Sequence, residues 1–312
     1  MPSKVLVIDG QNAFWRANIV LGPQKMHHVP CSGNFGEKCS HQMRKWHCNC
    51  GAQWNHDAKT CFYKSFFVVF NFFKNLRATV ETFKPEKIFF VLEGRPKFRY
   101  ELYPEYKANR IIKTAEANQE ENQNALFYEQ AQLATKILKF FPVTIVRAQN
   151  YECDDVIATL VRDMSGEDVV ILSSDSDFTQ LLQEKIEGLR VYNPIKKEFL
   201  EAPKYHYVAW KCLCGDKADN IRGLMGNKTA QKTVLNPEKF KQFVDVEENR
   251  ALFNINKQLI ELRSVPYEEL EVEDYHANWM AVEDAFQRME FNSIVNKESW
   301  QRYIETFYCV RI

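Results

Sequence analysis

Short apolar runs alternate along this chain with longer stretches whose apolar residues recur at helical spacing. Val5-Leu-Val-Ile8 ends at Asp9-Gly10 and reads as a buried strand followed by a turn. Lys87-Ile-Phe-Phe-Val-Leu92 ends at Glu93-Gly94, and Val143-Thr-Ile-Val146 leads into Tyr151-Glu-Cys-Asp-Asp155. A fourth run, Asp168-Val-Val-Ile-Leu172, ends at Ser-Ser-Asp175-Ser-Asp177. Between them the pattern predicts helices over Phe66 to Phe83, Ala125 to Phe140 and Val156 to Asp163. Strands alternating with helices predict an α/β fold with a parallel twisted sheet covered by helices on both faces. After about residue 200 the strand signals fade and helical ones dominate. The expected partition is therefore 1–200 and a helical domain over 201–312. In the second part Leu259-Ile-Glu-Leu-Arg263 and Trp279 to Phe291 read as core helices, and Trp300 to Ile312 as a last packed helix.

Two segments break the alternation. Residues 22–62 are rich in Cys, His, Gly and Asn and carry no periodicity. Residues 95–124 are first basic (Arg95, Lys97, Arg99, Lys107, Arg110, Lys113) and then rich in Glu, Asn and Gln. Neither reads as core, so both are expected as surface excursions.

Composition narrows the class. The chain has 312 residues, of which 45% are hydrophobic and 26% charged, which excludes disorder, collagen and coiled coil for the bulk of it. No apolar run approaches the ~20 residues of a membrane span, and the start lacks a secretory apolar core. A cytoplasmic, monomeric protein is the expectation. The nine cysteines then read as thiols or metal ligands and not as disulfides. The 41 basic and 41 acidic residues cancel, which argues against a simple polybasic nucleic-acid binder. Setting aside nine acids that belong to one site leaves a basic excess of the same size elsewhere.

Those acids sit where the strands end. In an open parallel sheet the carboxyl ends of the strands form the ligand-binding edge, so Asp9, Glu93, Asp175 and Asp177 should gather on one rim. Glu152 and Asp155, three apart at a helix start, share a face, with Asp154 beside them. Asp216 and Asp219 repeat that spacing. Asp9 or Asp175 alone reads equally as the N-cap of the next helix, and Glu152 as an ordinary first-turn acid complementing the helix dipole. Together they would repel, and hard oxygen donors offset by cations select Mg²⁺ or Mn²⁺. Two such ions suit in-line attack on a phosphodiester. No glycine-rich phosphate loop points to an NTPase.

The motifs Val7-Ile-Asp9-Gly-Gln-Asn12, Tyr103-Pro-Glu-Tyr-Lys-Ala-Asn-Arg110, Glu152-Cys-Asp-Asp155, Ser174-Asp-Ser-Asp177 and Gly215-Asp-Lys-Ala-Asp-Asn-Ile221 occur in this order. On them the chain resembles the 5′ nucleases: flap endonucleases, the 5′-exonuclease domain of bacterial DNA polymerase I, and phage replication 5′ nucleases sometimes called ribonuclease H. The resemblance implies a PIN-like catalytic domain followed by a helical domain with a helix–three-turn–helix. It places Asp9, Glu93, Glu152, Asp154, Asp155, Asp175, Asp177, Asp216 and Asp219 on the family's metal-binding acids, serving two ions. Lys107 and Arg110 fall in an arch over the site, where they would contact the scissile phosphate. Tyr106 falls where a ring could stack on an unpaired base, or pack the arch. Arg95, Lys97 and Arg99 are expected on the nucleic-acid side of the arch. Gly223, Gly226, Lys228 and Thr229 lie in the segment that would grip duplex phosphates, and the two glycines also suit a plain inter-helix turn.

Three positions depart from the family pattern. Glu93 stands where Asp is usual, Cys153 replaces a small residue, and Gly223 to Thr229 is about two residues shorter than the usual hairpin, with its monovalent-cation site. A fourth feature has no counterpart in the resemblance. Ten of the sixteen Cys and His residues lie between His27 and Cys61. Cys48, Cys50, His56 and Cys61 approach a zinc-knuckle spacing, with Cys31, Cys39, His41 and His47 as alternative ligands, or the segment is a loop with free thiols.

The expectation is a Mg²⁺- or Mn²⁺-dependent 5′-3′ exonuclease or flap endonuclease. Its substrate would be DNA with a 5′ flap, nick or RNA primer, and its role primer and flap removal in replication. Partners would be a replication polymerase, a clamp or a single-strand-binding protein, with no membrane. The alternatives are a replication scaffold of the same fold without catalysis, and a PIN-like ribonuclease.

Overall fold

The computed structural model describes residues 4–19, 29–30, 53–55, 60–62, 66–109 and 118–311. Five parallel strands form the centre of a seven-stranded sheet. They are β1 (Lys4–Asp9), β5 (Lys87–Val91), β6 (Thr144–Arg147), β7 (Asp168–Leu172) and β8 (Leu189–Asn193). Two short antiparallel strands close the edges, β9 (Glu198–Phe199) on β8 and β10 (Glu271–Glu273) on β6. The order β10-β6-β5-β1-β7-β8-β9 runs outward from β1 to one side through β5 and β6, then restarts on the other side with β7. Asp9 pairs in register with Val91, and Ile8 with Leu172. The chain therefore leaves β1 and β7 in opposite directions at their carboxyl ends, and a crevice opens there.

Side-chain alternation along the strands builds two cores. Leu6 and Ile8 of β1 join Ile88, Phe90, Ile145, Val170 and Leu172 on one face. Val5 and Val7 join Val91, Val146, Val169, Ile171 and Val191 on the other. The first face is covered by α1 (Gly10–Ile19), α2 (Phe67–Phe83) and α4 (Asn118–Leu138). In α2 the buried Val68, Val69, Phe72, Phe73, Leu76 and Val80 follow the three- and four-residue spacing of one helix face. The second face is covered by α5 (Cys153–Asp163), whose Val156, Ile157 and Val161 are fully buried. The insertion contributes a separate antiparallel sheet of β2 (Val29–Pro30), β4 (Thr60–Phe62) and β3 (Gln53–Asn55).

Beyond the sheet, α7 (Tyr207–Cys214), α8 (Asn227–Val234), α9 (Pro237–Asp245) and α10 (Glu247–Ile260) form a helical unit. Val208, Cys212, Ile221, Leu259 and Ile260 form its core together with Tyr106. The turn after α7 needs glycine at two places. Gly215 has φ +72°, and a Cβ on Gly223 would stand 2.2 Å from the Cys214 carbonyl oxygen. The buried Asn256 amide fastens this turn by donating to the carbonyls of Cys212 and Arg222, each at 2.8 Å.

The C-terminal residues differ from the expected partition. Instead of extending the helical unit, α11 (Trp279–Arg288), α12 (Asn292–Val295) and α13 (Lys297–Glu305) return to the first face of the sheet. Phe286, Phe291, Trp300, Tyr303 and Phe307 bury themselves against α2 and Phe141 there. That face carries Phe72, Phe73, Phe90 and Phe141, and covering so much aromatic surface draws the aromatic tail back to it. Among the described residues no helix is long and apolar enough to cross a membrane.

Candidate active site

The crevice at the carboxyl ends of β1 and β7 holds the acidic side chains. Asp9 is the last residue of β1 and is buried. Ser173, directly after β7, donates its hydroxyl to Asp9 Oδ2 at 2.6 Å, and the Asn12 backbone N–H donates to Oδ1 at 2.9 Å. The crevice is closed further by the Asn12 amide, which donates to Ser174 Oγ at 2.6 Å. Glu93, two residues past β5, accepts the backbone N–H of Cys153 at 3.2 Å. Glu152, Asp154 and Asp155 cluster at the start of α5, while Asp175 and Asp177 follow β7. Asp216 and Asp219 come from the turn after α7 and reach the same rim through lysines.

Protein cations divide the nine acids into two groups. Glu152 is ion-paired with Lys107, lies 2.9 Å from Arg99 Nη1, and accepts the Tyr106 hydroxyl at 3.0 Å. Lys107 Nζ also stands 3.9 Å from Asp219 Oδ2. Lys211 bridges Asp177 and Asp216, at 2.8 Å from the latter. Asp155 is fully buried and gripped by Arg99 through both oxygens, with Nη2 to Oδ1 at 2.9 Å. By contrast, among the described residues no lysine or arginine forms an ion pair with Asp9, Glu93, Asp154 or Asp175.

The electrostatics follow this division. Burial pushes the Asp9 carboxyl above its ordinary range, against the hydrogen bond from Ser173 and the charge of Arg16. Burial and then the charge of Glu152 raise Glu93 to about 7. Burial, and after it Asp175 and Asp9, push Asp154 well up. Asp175 reaches solvent, but the crevice walls strip its hydration and Asp177 adds repulsion, raising it to about 6. In the paired group burial acts in the same upward sense on Glu152 and Asp216, but Lys107 with Arg99, and Lys211, outweigh it and hold both below the usual range.

The expected site residues fare differently. Asp155 faces away from the rim, because Arg99 and the backbone N–H of Arg263 at 2.9 Å take its oxygens. Arg99, expected on the nucleic-acid side of the arch, is only 2% exposed. It joins α3 (Lys97–Leu102) to α5 through Asp155 and to α10 through the Leu259 carbonyl at 2.9 Å. Tyr106, expected either to stack on a base or to pack the arch, is buried against Tyr100, and its hydroxyl needs the carboxylates of Glu152 and Asp219 as partners inside the protein. Arg95 and Lys97 are exposed just before and at the start of α3, with Arg95 over the Tyr100 ring and Lys97 3.8 Å from Glu101. Lys228 and Thr229 are exposed on the first turn of α8, whose N-cap is Gly226. Arg110 lies outside the described residues, as do Cys31, Cys39, His41, His47, Cys48, Cys50 and His56; of Cys61 only the strand β4 is described.

The sequence reading passed over Lys211, Ser173 and Arg16. Lys211 had a signal, since it stands on the last turn of the helix that ends at Gly215-Asp216. Arg16 had one too, being four residues from Asn12 and donating Nε to its amide oxygen at 3.0 Å.

The acids fit a hard cation by their chemistry: all donors are carboxylate oxygens, and four of them form no ion pair with a lysine or arginine among the described residues. Their oxygens do not stand in a ready-made shell, since among the described residues no three His, Cys, Asp or Glu side chains converge tightly enough to hold one ion.

Known proteins share this fold. Among solved structures, the bacteriophage T5 flap endonuclease in complex with DNA and metal ions superposes with a TM-score of 0.58 at 17% identity, covering 97% of each chain. The zinc-bound form of the T5 5′-exonuclease gives 0.59, also at 17% identity and 97% coverage of each. These likenesses establish the fold, and with it the PIN-like α/β expectation. In sequence the chain is 32% identical over 177 residues to DNA polymerase I of Treponema pallidum, covering 52% of this chain and 17% of that protein. It is 35% identical over 144 residues to the thermostable DNA polymerase I of Thermus filiformis, covering 43% of this chain and 16% of the relative. The chain thus matches about a sixth of the length of these relatives. The family described as 5′-3′ exonuclease, N-terminal resolvase-like domain, matches residues 52–208, half of the chain, and to that family this protein belongs.

Proposed function

We propose that this protein is a divalent-metal-dependent, structure-specific 5′ nuclease. It would hydrolyse phosphodiesters in DNA carrying a 5′ flap, a nick or an RNA primer, leaving a 5′-phosphate and a 3′-hydroxyl. The observation that carries this reading is the set Asp9, Glu93, Asp154 and Asp175 at the sheet's switch point, which forms no ion pair with a lysine or arginine among the described residues. These four would hold the ions, Mg²⁺ or Mn²⁺, with Glu152, Asp177, Asp216 and Asp219 beside them. Bound divalent ions would ease deprotonation of the attacking water and offset charge on the departing oxygen.

The chain's own groups supply the rest. Lys107, held at the rim by Glu152, can turn its ammonium to the scissile phosphate, and Arg110 would act beside it. Asn12 and Ser173 hold Asp9 in place, so the carboxylate need not reorganise. Arg95 and Lys97 on the arch, and Lys228 and Thr229 at the start of α8 with the glycine turn at Gly223 and Gly226, would bind backbone phosphates without reading sequence. Asp155 is assigned to structure, as the partner of Arg99.

Cleavage of four substrates tests the reading: a 5′ flap, a nicked duplex, an RNA-primed duplex and single-stranded RNA, each with Mg²⁺ and with EDTA. Cutting of the first three near the junction, abolished by EDTA, is expected. Binding without cutting would instead favour the scaffold reading, and preference for single-stranded RNA the ribonuclease. The insertion is proposed to bind Zn²⁺ through Cys48, Cys50, His56 and Cys61, and a metal assay on chelator-free protein finding no zinc would refute that. A polymerase, clamp or single-strand-binding protein is the proposed partner, to be sought by co-purification with each.

A further inference from the structure

Lys211 projects from the last turn of α7, with its side chain only 10% exposed. Its ammonium is fixed between two carboxylates that are themselves held from behind. Asp177 accepts the Tyr207 hydroxyl at 2.7 Å, and that hydroxyl lies 3.2 Å from Ser176 Oγ. Asp216 accepts the backbone N–H of Ala218 at 2.7 Å and stands 2.8 Å from the ammonium. One protein cation therefore occupies the position between two rigid acids of the rim. Asp9, Glu93, Asp154 and Asp175 have no such cation among the described residues.

We propose that Lys211 is a built-in competitor for one of the two divalent ions, so that the ions load in sequence, first at the unpaired acids and then at Asp177 and Asp216. This rests on the metal-dependent reading above. The charge balance carries it. Asp177, Asp216 and Lys211 together carry one negative charge. A divalent ion entering with the ammonium in place would make the cluster positive and set two cations against each other at short range. The ion must displace the ammonium from both carboxylates and forfeit those ion pairs. At Asp9, Glu93, Asp154 and Asp175 an ion forfeits no such ion pair and lessens the repulsion between carboxylates. Lys211 thus sets the affinity for the second ion and is a positioning residue.

The test is a Mn²⁺ titration of the full chain without DNA, reading free Mn²⁺ by electron paramagnetic resonance. Native protein should bind two ions, the second at least about tenfold more weakly. In Lys211→Met and Lys211→Gln the second ion should tighten by about tenfold or more with the first unchanged, while Lys211→Arg keeps the native ratio. Should both neutral variants unfold without metal, Mn²⁺ must refold them, because it replaces the missing charge. An unchanged ratio in the neutral variants, or a failure of Mn²⁺ to restore them, overturns the proposal alone. No Mn²⁺ binding by native protein overturns the metal-dependent reading and this proposal with it.

Discussion

Ser173 and Asp9, 164 positions apart in the chain, are joined by a 2.6 Å hydrogen bond across the point where the sheet's strand order reverses. Both are buried, so the serine hydroxyl is a main partner of a carboxylate that water reaches poorly. It also accepts the Asp175 backbone N–H at 3.1 Å, which ties the second acidic loop to the first strand. Ser173→Ala should therefore cost about 1–3 kcal/mol, the penalty for leaving a buried charged group short of a partner. Urea denaturation measures this, and a cost below about 0.5 kcal/mol would show that Asn12 and the Cys153 thiol satisfy Asp9 without the serine.

The unpaired acids give the metal-free protein a definite pH dependence. Glu93 is raised from 4.5 to about 7 and Asp175 from 3.8 to about 6, each by burial first and a neighbouring carboxylate second. Between the unfolded and folded values the native state holds more protons than the unfolded one. Stability from these groups is thus fully present below pH about 4 and falls as pH rises to about 7. Divalent ions should abolish this slope, since they favour the ionised form. Denaturation at a series of pH values, in EDTA and in Mg²⁺, checks it. A metal-free stability that climbs steadily from pH 5 to 7 would contradict the arrangement of Glu93 and Asp175.

Much of this was legible beforehand. The apolar runs at Val5, Lys87, Val143 and Asp168 are strands within a residue or so, because a strand buried on both faces needs an unbroken apolar run. The strand Leu189–Asn193 escaped notice, since its alternation of Leu, Arg, Val, Tyr and Asn resembles exposed sequence. Acid positions were legible from strand ends, but their pairing was not. The three-residue spacing separates Asp155 from Asp154 but does not say which of them turns inward; the placement of Arg99 sends Asp155 into the core and leaves Asp154 at the rim. The same holds for Arg99, and for the choice between stacking and packing at Tyr106: a polar side chain in a basic segment looks exposed until its buried partners are known. The destination of the C-terminal helices was hidden as well, because an amphipathic helix declares an apolar face and not what that face meets.

The aromatic tail makes the catalytic fold depend on residues far beyond the family's matched segment. Phe286 is fully buried, with ring centroids 5.1 Å from Phe73 and 5.3 Å from Phe291. Phe286→Ala should destabilise the protein by about 3–5 kcal/mol through lost burial and a cavity. A loss below about 1 kcal/mol in urea denaturation would mean that the tail is dispensable to the sheet.

Asp154 and Asp155 are adjacent and chemically identical, so exchanging each for Asn isolates the effect of surroundings. Asp154 has its pKa pushed well up by burial and by Asp175, Asp9 and Glu93, and no lysine or arginine among the described residues is ion-paired with it. Neutralising it removes repulsion, so Asp154→Asn should leave stability unchanged or raise it by about 1 kcal/mol in EDTA. It should also abolish cleavage while leaving DNA bound. Asp155 instead neutralises the buried Arg99 guanidinium through two hydrogen bonds. Asp155→Asn leaves that charge with Glu152 as its ion-pair partner among the described residues and should cost about 3–5 kcal/mol. Cleavage at low temperature should survive better in this variant than in Asp154→Asn, because the oxygens lost do not face the crevice. Urea denaturation in EDTA, flap cleavage in Mg²⁺ and Mn²⁺ titration of both variants separate the cases. Equal stability losses, or a greater loss of Mn²⁺ binding in Asp155→Asn, would mean that the helix start is turned the other way and that Arg99 is a rim residue after all.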